Sequence, residues 1–187
     1  GAVSLVDVDV LGTYAQYDAG AIELQVAALA ANRTTVSGGV GGPALLLKSG
    51  VATITDATFS SNDCAYGAAV VQTSEGARVV FRNTAFLNNT AEDAAALAAT
   101  DFSVVNATDC VFAGNAAVFG SCGAASVATS SSLATSRTSF LRNHAAVDAG
   151  AVLVAPPAKF LSLGNTTLAG NVAATGDGGA VKISGDD

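Results

Sequence analysis

The chain has few of the residues from which metal sites and aromatic binding sites are usually built. Its 187 residues include no Trp, no Met, one His and three Cys, and only 12% of the residues are charged. Because no two cysteines form a C-x-x-C pair, a zinc site is not expected. With no Trp and only three Tyr, the chain offers few aromatic rings for stacking against sugars, which disfavours a glycan-binding module.

Positive charge and long apolar segments are also scarce. Eight Lys and Arg are scattered against fifteen Asp and Glu, which gives a net charge of −7. Phosphate binding needs clustered cations, so the composition argues against a nucleic-acid partner. The longest apolar runs, such as VATITDATF and ALLL, are far shorter than the roughly 20 residues that span a bilayer. No membrane span is therefore expected.

What the chain has instead is one phrase that repeats. The stretch SFLRNHAAVDAGAVLV (139–154) places Phe140 three residues before Asn143 and then continues to Ala-Gly-Ala-Val. The same order of a large apolar residue, an asparagine and a small-residue segment recurs along the chain. Other clear copies begin at Phe59, Phe86, Phe112 and Leu168, and two weaker copies begin at Val10 and Leu29.

Two independent markers keep the same spacing. The large apolar residues fall at 10, 29, 59, 86, 112, 140 and 168, and the alanines that follow them fall at 21, 44, 69, 96, 124, 151 and 180. A regular period of this size indicates a solenoid in which each repeat is one coil. The start is uneven, because Ala21 precedes Leu29 by only eight residues. The first coil therefore either lacks a strand or has its large apolar residue elsewhere.

The segments within each repeat have the pattern of β-strands. Runs such as ATITDATF and RVVFRNTAF alternate or nearly alternate apolar and polar residues, as half-buried strands do. We predict an all-β fold, a right-handed parallel β-helix of about seven coils, with roughly 27 residues and about three strands in each coil. Residues 1–187 are expected to form a single β-helix segment that belongs to a longer chain.

Stacking the coils turns the repeat into columns of like residues, because neighbouring strands lie ~4.8 Å apart. Phe59, Phe86, Phe112 and Phe140 are expected to form one apolar column inside the coil, with their rings packed on one another. Three residues further on, stacked asparagine amides are expected to form a hydrogen-bonded ladder. Its members are Asn32, Asn62, Asn89, Asn115, Asn143 and Asn171.

The combination Phe-x-x-Asn followed by Gly-Gly-Ala-Val, or a near variant, resembles the repeat of chlamydial polymorphic outer membrane proteins. It is also similar to the wider group of parallel β-helix proteins that includes pectate lyases. The best matches are FLRN…DAGAV (140–152), LAGN…GDGGAV (168–181) and FSSN…YGAAV (59–70), and the likeness covers about residues 10–183. The resemblance implies a surface-exposed or adhesive protein.

Glycosylation signals favour a secreted protein. The triplets at Asn88, Asn106 and Asn165 match the N-glycosylation sequon, as does the triplet at Asn32, whose column position is expected to be internal. In an oxidising compartment Cys110 and Cys122 could form a disulfide, which would leave Cys64 free or bridged elsewhere.

One pattern keeps an enzymatic interpretation open. Asp18, Asp93, Asp148 and Asp177 all lie three residues before a marker alanine, and the last two belong to adjacent coils. Close carboxylates can act as acid and base or hold a cation. Alternatively, these aspartates accept backbone N–H groups in a turn that repeats.

Two other charged or titratable side chains have column neighbours that the spacing identifies. Arg137 lies one coil above Asp109, which predicts an ion pair between neighbouring strands. His144, the only histidine, has Ala116 and Val172 as its predicted neighbours. Neither neighbour can orient the imidazole, so a catalytic triad is not expected.

The strand after each marker alanine is apolar on both sides. Strict alternation puts Leu46, Val71, Ala98 and Leu153 on its outer face. Such a patch indicates either a partner surface or ordinary exposed Val and Ala on a β-helix.

We therefore expect a non-catalytic structural or adhesive module of a cell-surface layer, appendage or filament, located outside the cell and without a cofactor or a metal. Its expected partners are other protein subunits or further domains of the same chain, with N-glycans as an additional modification. The alternative is a carbohydrate-active enzyme that uses Asp148 and Asp177.

Overall fold

The computed structural model describes residues 1–15, 21–25, 28–64 and 69–185, and in these residues every regular element is a β-strand. The chain winds through seven coils, and each coil contributes one strand to each of four seven-stranded parallel sheets. This is the predicted parallel β-solenoid. The prediction of about three strands per coil was wrong, because tight corners divide each coil into four shorter strands.

The strands are numbered in chain order and grouped here into sheets A to D. Sheet A contains β1 (Ala2–Val6), β5 (Ala28–Asn32), β9 (Val51–Thr55), β13 (Arg78–Arg82), β17 (Val104–Thr108), β21 (Ser132–Ser136) and β25 (Phe160–Gly164). Sheet B contains β2 (Asp9–Leu11), β6 (Thr35–Ser37), β10 (Thr58–Ser60), β14 (Ala85–Leu87), β18 (Val111–Ala113), β22 (Ser139–Leu141) and β26 (Thr167–Ala169). Sheet C contains β3 (Tyr14–Ala15), β7 (Val40–Gly41), β11 (Asp63–Cys64), β15 (Thr90–Ala91), β19 (Ala116–Ala117), β23 (His144–Ala145) and β27 (Val172–Ala173). Sheet D contains β4 (Ile22–Gln25), β8 (Leu45–Lys48), β12 (Val71–Ser74), β16 (Leu97–Ala99), β20 (Ala125–Val127), β24 (Val152–Val154) and β28 (Val181–Ile183).

Two corners of each coil are made by a single residue in the left-handed backbone region. The residue after each sheet A strand has φ between 46° and 55°, and the residue after each sheet B strand has φ between 51° and 66°. Asn, Asp and Gly tolerate this conformation best. They occupy most of these positions, which explains why such residues recur at fixed offsets. Ser61 and the arginines at 33, 137 and 142 are the exceptions.

The interior is filled by alternate residues of the strands. In β9 and β13 the second and fourth residues are buried, while the other three are more exposed. Phe59, Phe86, Phe112 and Phe140 form the predicted column, with consecutive ring centroids 5.2, 4.4 and 4.7 Å apart and nearly parallel rings. A column of this kind combines apolar burial with offset aromatic contacts.

The register of the second coil differs from the prediction. Val36 lies between Val10 and Phe59 in this column, whereas Leu29 belongs to sheet A. Column members are thus 26, 23, 27, 26, 28 and 28 residues apart. The first coil contains all four of its strands, and the anchor that was wrong is Leu29, which was assigned to the second coil. Asn32 consequently ends β5, opposite Val6 and Thr55, and is not part of the asparagine column.

A second shift of one residue affects sheet D. Val71 pairs with Leu45 and Leu97, so Val70 takes the column position that was assigned to Ala69. Val71 therefore points inward with no exposed surface, and Gln72 takes the outward position predicted for it.

Candidate functional site

The buried asparagine ladder is the most continuous polar feature of the interior. The Nδ2 atom of each asparagine donates to the Oδ1 atom of the next, at 3.0 Å for Asn62 to Asn89 and 2.9 Å for Asn143 to Asn171. The Asn89 and Asn115 amides make the two links between them, at 3.0 and 2.9 Å. The ladder thus runs unbroken through five coils.

Each rung also fixes the backbone at the corner between sheets B and C. The Oδ1 atom of Asn115 accepts the N–H of Asn89 at 3.1 Å, while its Nδ2 atom donates to the carbonyl oxygen of Phe86 at 3.0 Å. These groups are buried, and a buried polar group without a partner costs about 1–3 kcal/mol. In the second coil Gly39 occupies the asparagine position, and its N–H donates to Asn62 Oδ1 at 3.0 Å.

A second ladder, exposed and charged, follows the corner between sheets A and B. Its members in coil order are Asp7, Arg33, Asp56, Asn83, Asp109, Arg137 and Asn165. Arg137 makes two hydrogen bonds to Asp109, at 2.7 and 2.8 Å, which is the predicted ion pair.

The same corner column contains contacts that the sequence analysis missed. Arg33 pairs with Asp7, and Asn83 Nδ2 donates to Asp56 Oδ1 at 2.6 Å. The guanidinium of Arg33 lowers the pKa of Asp7. Each of these residues lies three positions before the large apolar residue of its coil. Once Val36 replaces Leu29 as the large apolar residue of the second coil, this three-residue offset identifies every member of the exposed corner column.

The acidic residues of the enzymatic interpretation are engaged in local contacts. Asp148 Oδ2 lies 2.8 Å from Lys182 Nζ, and Asp148 Oδ1 accepts the N–H of Asp177 at 2.8 Å. Asp93 likewise accepts the N–H of Ser121, at 3.2 Å. The Asp177 side chain is 88% exposed and lies 3.7 Å from Lys182. Asp18 lies outside the described residues.

In this arrangement the aspartates accept backbone N–H groups in a repeated turn. This is the alternative that the sequence analysis set against a site of paired carboxylates. Lys182 contacts both Asp148 and Asp177, and among the residues that the structure describes no other carboxylate takes part in these contacts. In the described part of the chain, no group of three or more His, Cys, Asp or Glu side chains could hold a metal ion. His144 pairs with Ala116 and Val172, as predicted.

The Asp148 contact predicts a specific effect of pH. Lys182 and the Asp177 N–H hold the pKa of Asp148 below its usual value of 3.8. Because the folded pKa is lower than the unfolded one, the pairing stabilises the fold at neutral pH, and this contribution is lost as pH falls below about 4. Lys182→Gln should raise the Asp148 pKa in an NMR titration. The pKa of Asp109, whose partner is Arg137, should stay unchanged in the same variant, and an equal rise there would contradict the assignment.

The predicted interface on sheet D is covered by the chain itself. Leu46 and Ala98 do point outward from the strand, but they are only 7% and 3% exposed. Ala69, Ala94 and Cys122, from the connections between sheets C and D, pack with Ala98 in a small outer cluster that Leu153 also contacts. The interpretation of Leu46, Val71 and Ala98 as an exposed partner surface was therefore wrong, because the first and third are covered and Val71 points inward. Leu153 is half-buried. Strand alternation alone does not show which connections between strands cover the outer face.

The predicted disulfide is absent. Cys110 and Cys122 are free and buried, as is Cys64. Cys110 lies at the corner between sheets A and B, whereas Cys122 lies in the connection between sheets C and D. Their thiols contact different backbone carbonyls, those of Thr108 and Ala151.

Burial makes the three thiols unreactive in the folded chain. It raises the pKa to about 12 for Cys64 and Cys122 and to about 11 for Cys110. The thiolate is the reactive form, so we expect negligible labelling by iodoacetamide at pH 8 in the native state and triple labelling in guanidinium chloride, measured by intact mass. A native mass lower by two protons and only single labelling after unfolding would instead show a disulfide.

Three of the four sequon asparagines are exposed, two at corners of the coil and one in a strand. Asn88 occupies the left-handed position between sheets B and C, Asn165 occupies the equivalent position between sheets A and B, and Asn106 is the central residue of β17. Asn32 is half-buried. The prediction of glycans at Asn88, Asn106 and Asn165 is compatible with these positions.

The fold places the chain in the class of parallel β-solenoids. No protein-family model matches the sequence, and searches of curated proteins and of solved structures give no match either. The described residues contain no helix of the length and apolar character that a bilayer crossing requires. The relation to polymorphic outer membrane proteins therefore stays a prediction.

Proposed function

We propose that the chain is a non-catalytic structural or adhesive module of an extracellular assembly, such as a cell-surface layer, an appendage or a filament. Its stacked coils form a stiff, rod-shaped scaffold, and it packs against other proteins. The observation that carries this proposal is the unbroken asparagine ladder beside the stacked phenylalanines.

The ladder supports a mechanical role because it links every coil that it crosses to the next. Seven strands at ~4.8 Å spacing give a rod on the order of 30 Å long. Side chains and backbone in the corner are both hydrogen-bonded along the axis, so bending one coil against another would break buried hydrogen bonds. The exposed ion pairs of Arg33 with Asp7 and of Arg137 with Asp109 run in the same direction.

The extracellular location is supported by sequence features. The Phe-x-x-Asn and Gly-Gly-Ala-Val repeat resembles that of polymorphic outer membrane proteins, and three sequons are exposed on the surface. Protease treatment of intact producing cells should remove the protein while an internal marker protein survives. Protection of the chain until the cells are lysed would contradict the proposed location.

Catalysis is tested separately. Purified protein incubated with a panel of neutral and acidic polysaccharides should release no reducing ends and no unsaturated products. Cleavage that disappears in the Asp148→Asn/Asp177→Asn variant, with its circular dichroism unchanged, would overturn the proposal in favour of the carbohydrate-active enzyme.

A further inference from the structure

The outer face of sheet A differs in charge from the rest of the molecule. The first, third and fifth residues of each strand point outward, and none of them is acidic, although the chain has a net charge of −7. Nearly all are Ala, Gly, Ser, Thr, Asn or Val. A shallow hollow of about 290 Å³ lies over Ala2, Ala28 and Ala30 near one end of the face. The face is thus mostly small-residue and neutral, apart from the exposed ring of Phe160 on its last strand and one charged feature.

The charged feature is a pair of arginines at the centre of the face. Arg78 and Arg82 are the first and last residues of β13, which is the fourth of the seven strands, and both are exposed. Their Cα atoms are about 13 Å apart at the usual rise per residue. Among the described residues no carboxylate pairs with either arginine, whereas Arg33, Arg137 and Lys182 each bond an aspartate.

The face has the dimensions of a protein interface. Seven strands of five residues cover on the order of 500 Å² in projection on each side, which reaches the roughly 1,000 Å² in total that a specific interface needs. The strands already pair with one another within the sheet, so a partner must pack on the face. Sheets pack in this way at a separation of about 10 Å.

We propose that the outer face of sheet A docks a partner protein that presents a flat sheet face with carboxylates opposite Arg78 and Arg82. This rests on the proposed function, for which it names the partner surface. Asn106 lies on the same face, opposite Val80, so docking requires that this sequon carries no glycan. A second copy of the chain does not fit, because centred face-to-face packing sets arginine against arginine whether the strands run parallel or antiparallel. Opposite charges at the centre select the partner, and like charges exclude copies of the chain.

A charge-swap experiment tests the docking surface without knowing the natural partner. The Arg78→Glu/Arg82→Glu variant has a flat sheet face with two carboxylates at its centre, as the proposed partner does. These carboxylates face the two arginines of the unmodified chain whether the strands run parallel or antiparallel. Mixed with the unmodified chain, it should give a complex of twice the 18.2 kDa chain mass by light scattering, and neither protein should form it alone. A matched control is Arg142→Glu, which places the same kind of change on an exposed arginine at the corner between sheets B and C.

Each outcome decides the proposal. Absence of the complex in the charge-swapped mixture overturns it, and so does an equally strong complex with the Arg142→Glu control. If the double glutamate variant fails to fold, the Arg78→Thr/Arg82→Thr variant decides, because a docking face that has lost its like charges should self-associate at micromolar concentration. Polysaccharide cleavage by the unmodified chain would overturn the proposed function while leaving this result intact.

Discussion

Replacing Asn115 with alanine is expected to lower the free energy of unfolding by about 3 kcal/mol, because a buried rung of the ladder loses all its side-chain hydrogen bonds. The Asn115 side chain accepts from the N–H and the Nδ2 of Asn89 and donates to Phe86 O and Asn143 Oδ1. Without it, the N–H of Asn89 is left buried with no acceptor. Urea unfolding followed by circular dichroism measures the change.

The matched control is Asn106→Ala in the same coil. Asn106 is exposed on the outer face of sheet A, so its replacement should change the free energy of unfolding by no more than about 0.5 kcal/mol. A similar loss in both variants would show that the ladder has no special role. A small loss in Asn115→Ala alone would show that the corner repairs its hydrogen bonds with water.

Replacing Phe112 with alanine is expected to cost about 4 kcal/mol, since the side chain is fully buried and leaves a cavity in the column. Its ring stacks on Phe86 at 4.4 Å and on Phe140 at 4.7 Å between centroids. The variant therefore loses apolar burial and two aromatic contacts together. The shift of the urea midpoint at unchanged m-value measures the effect.

Phe119 provides the control for this second prediction. It follows Phe112 by seven residues and is 76% exposed, so Phe119→Ala should leave the urea midpoint nearly unchanged. Equal destabilisation by both replacements would mean that the column is not the core of the fold.

The sequence predicted the columns correctly in the coils where a phenylalanine is followed three positions later by an asparagine. From Phe59 onward, phenylalanine and asparagine are separated by three residues in four successive coils, and both columns have the predicted members. The prediction failed in the second coil, where Val36 and Gly39 replace the two markers. Leu29 and Asn32 happen to keep the same three-residue spacing, because apolar and polar residues also alternate along sheet A.

The surface of the molecule was less predictable than its interior. Alternation correctly placed Leu46 and Ala98 outward, but their burial depends on connections of variable length that carry no periodic pattern. The free thiols have a similar explanation. Cys110 and Cys122 are twelve residues apart in sequence and belong to different corners of one coil. With three strands predicted for each coil, the distance along the sequence did not show that Cys110 and Cys122 lie at different corners. The four strands of the actual coil show it.

The repeated register also affects how this chain can change in length. Phe86 is flanked by Phe59 below and Phe112 above, and the asparagines at 62, 89 and 115 stand in the same order. If one full repeat were removed, the coils on either side of it would become neighbours. Their phenylalanines and asparagines would then stack on the same residue types as before. Gene duplication or loss in units of one coil can thus lengthen or shorten the protein without redesigning its interior.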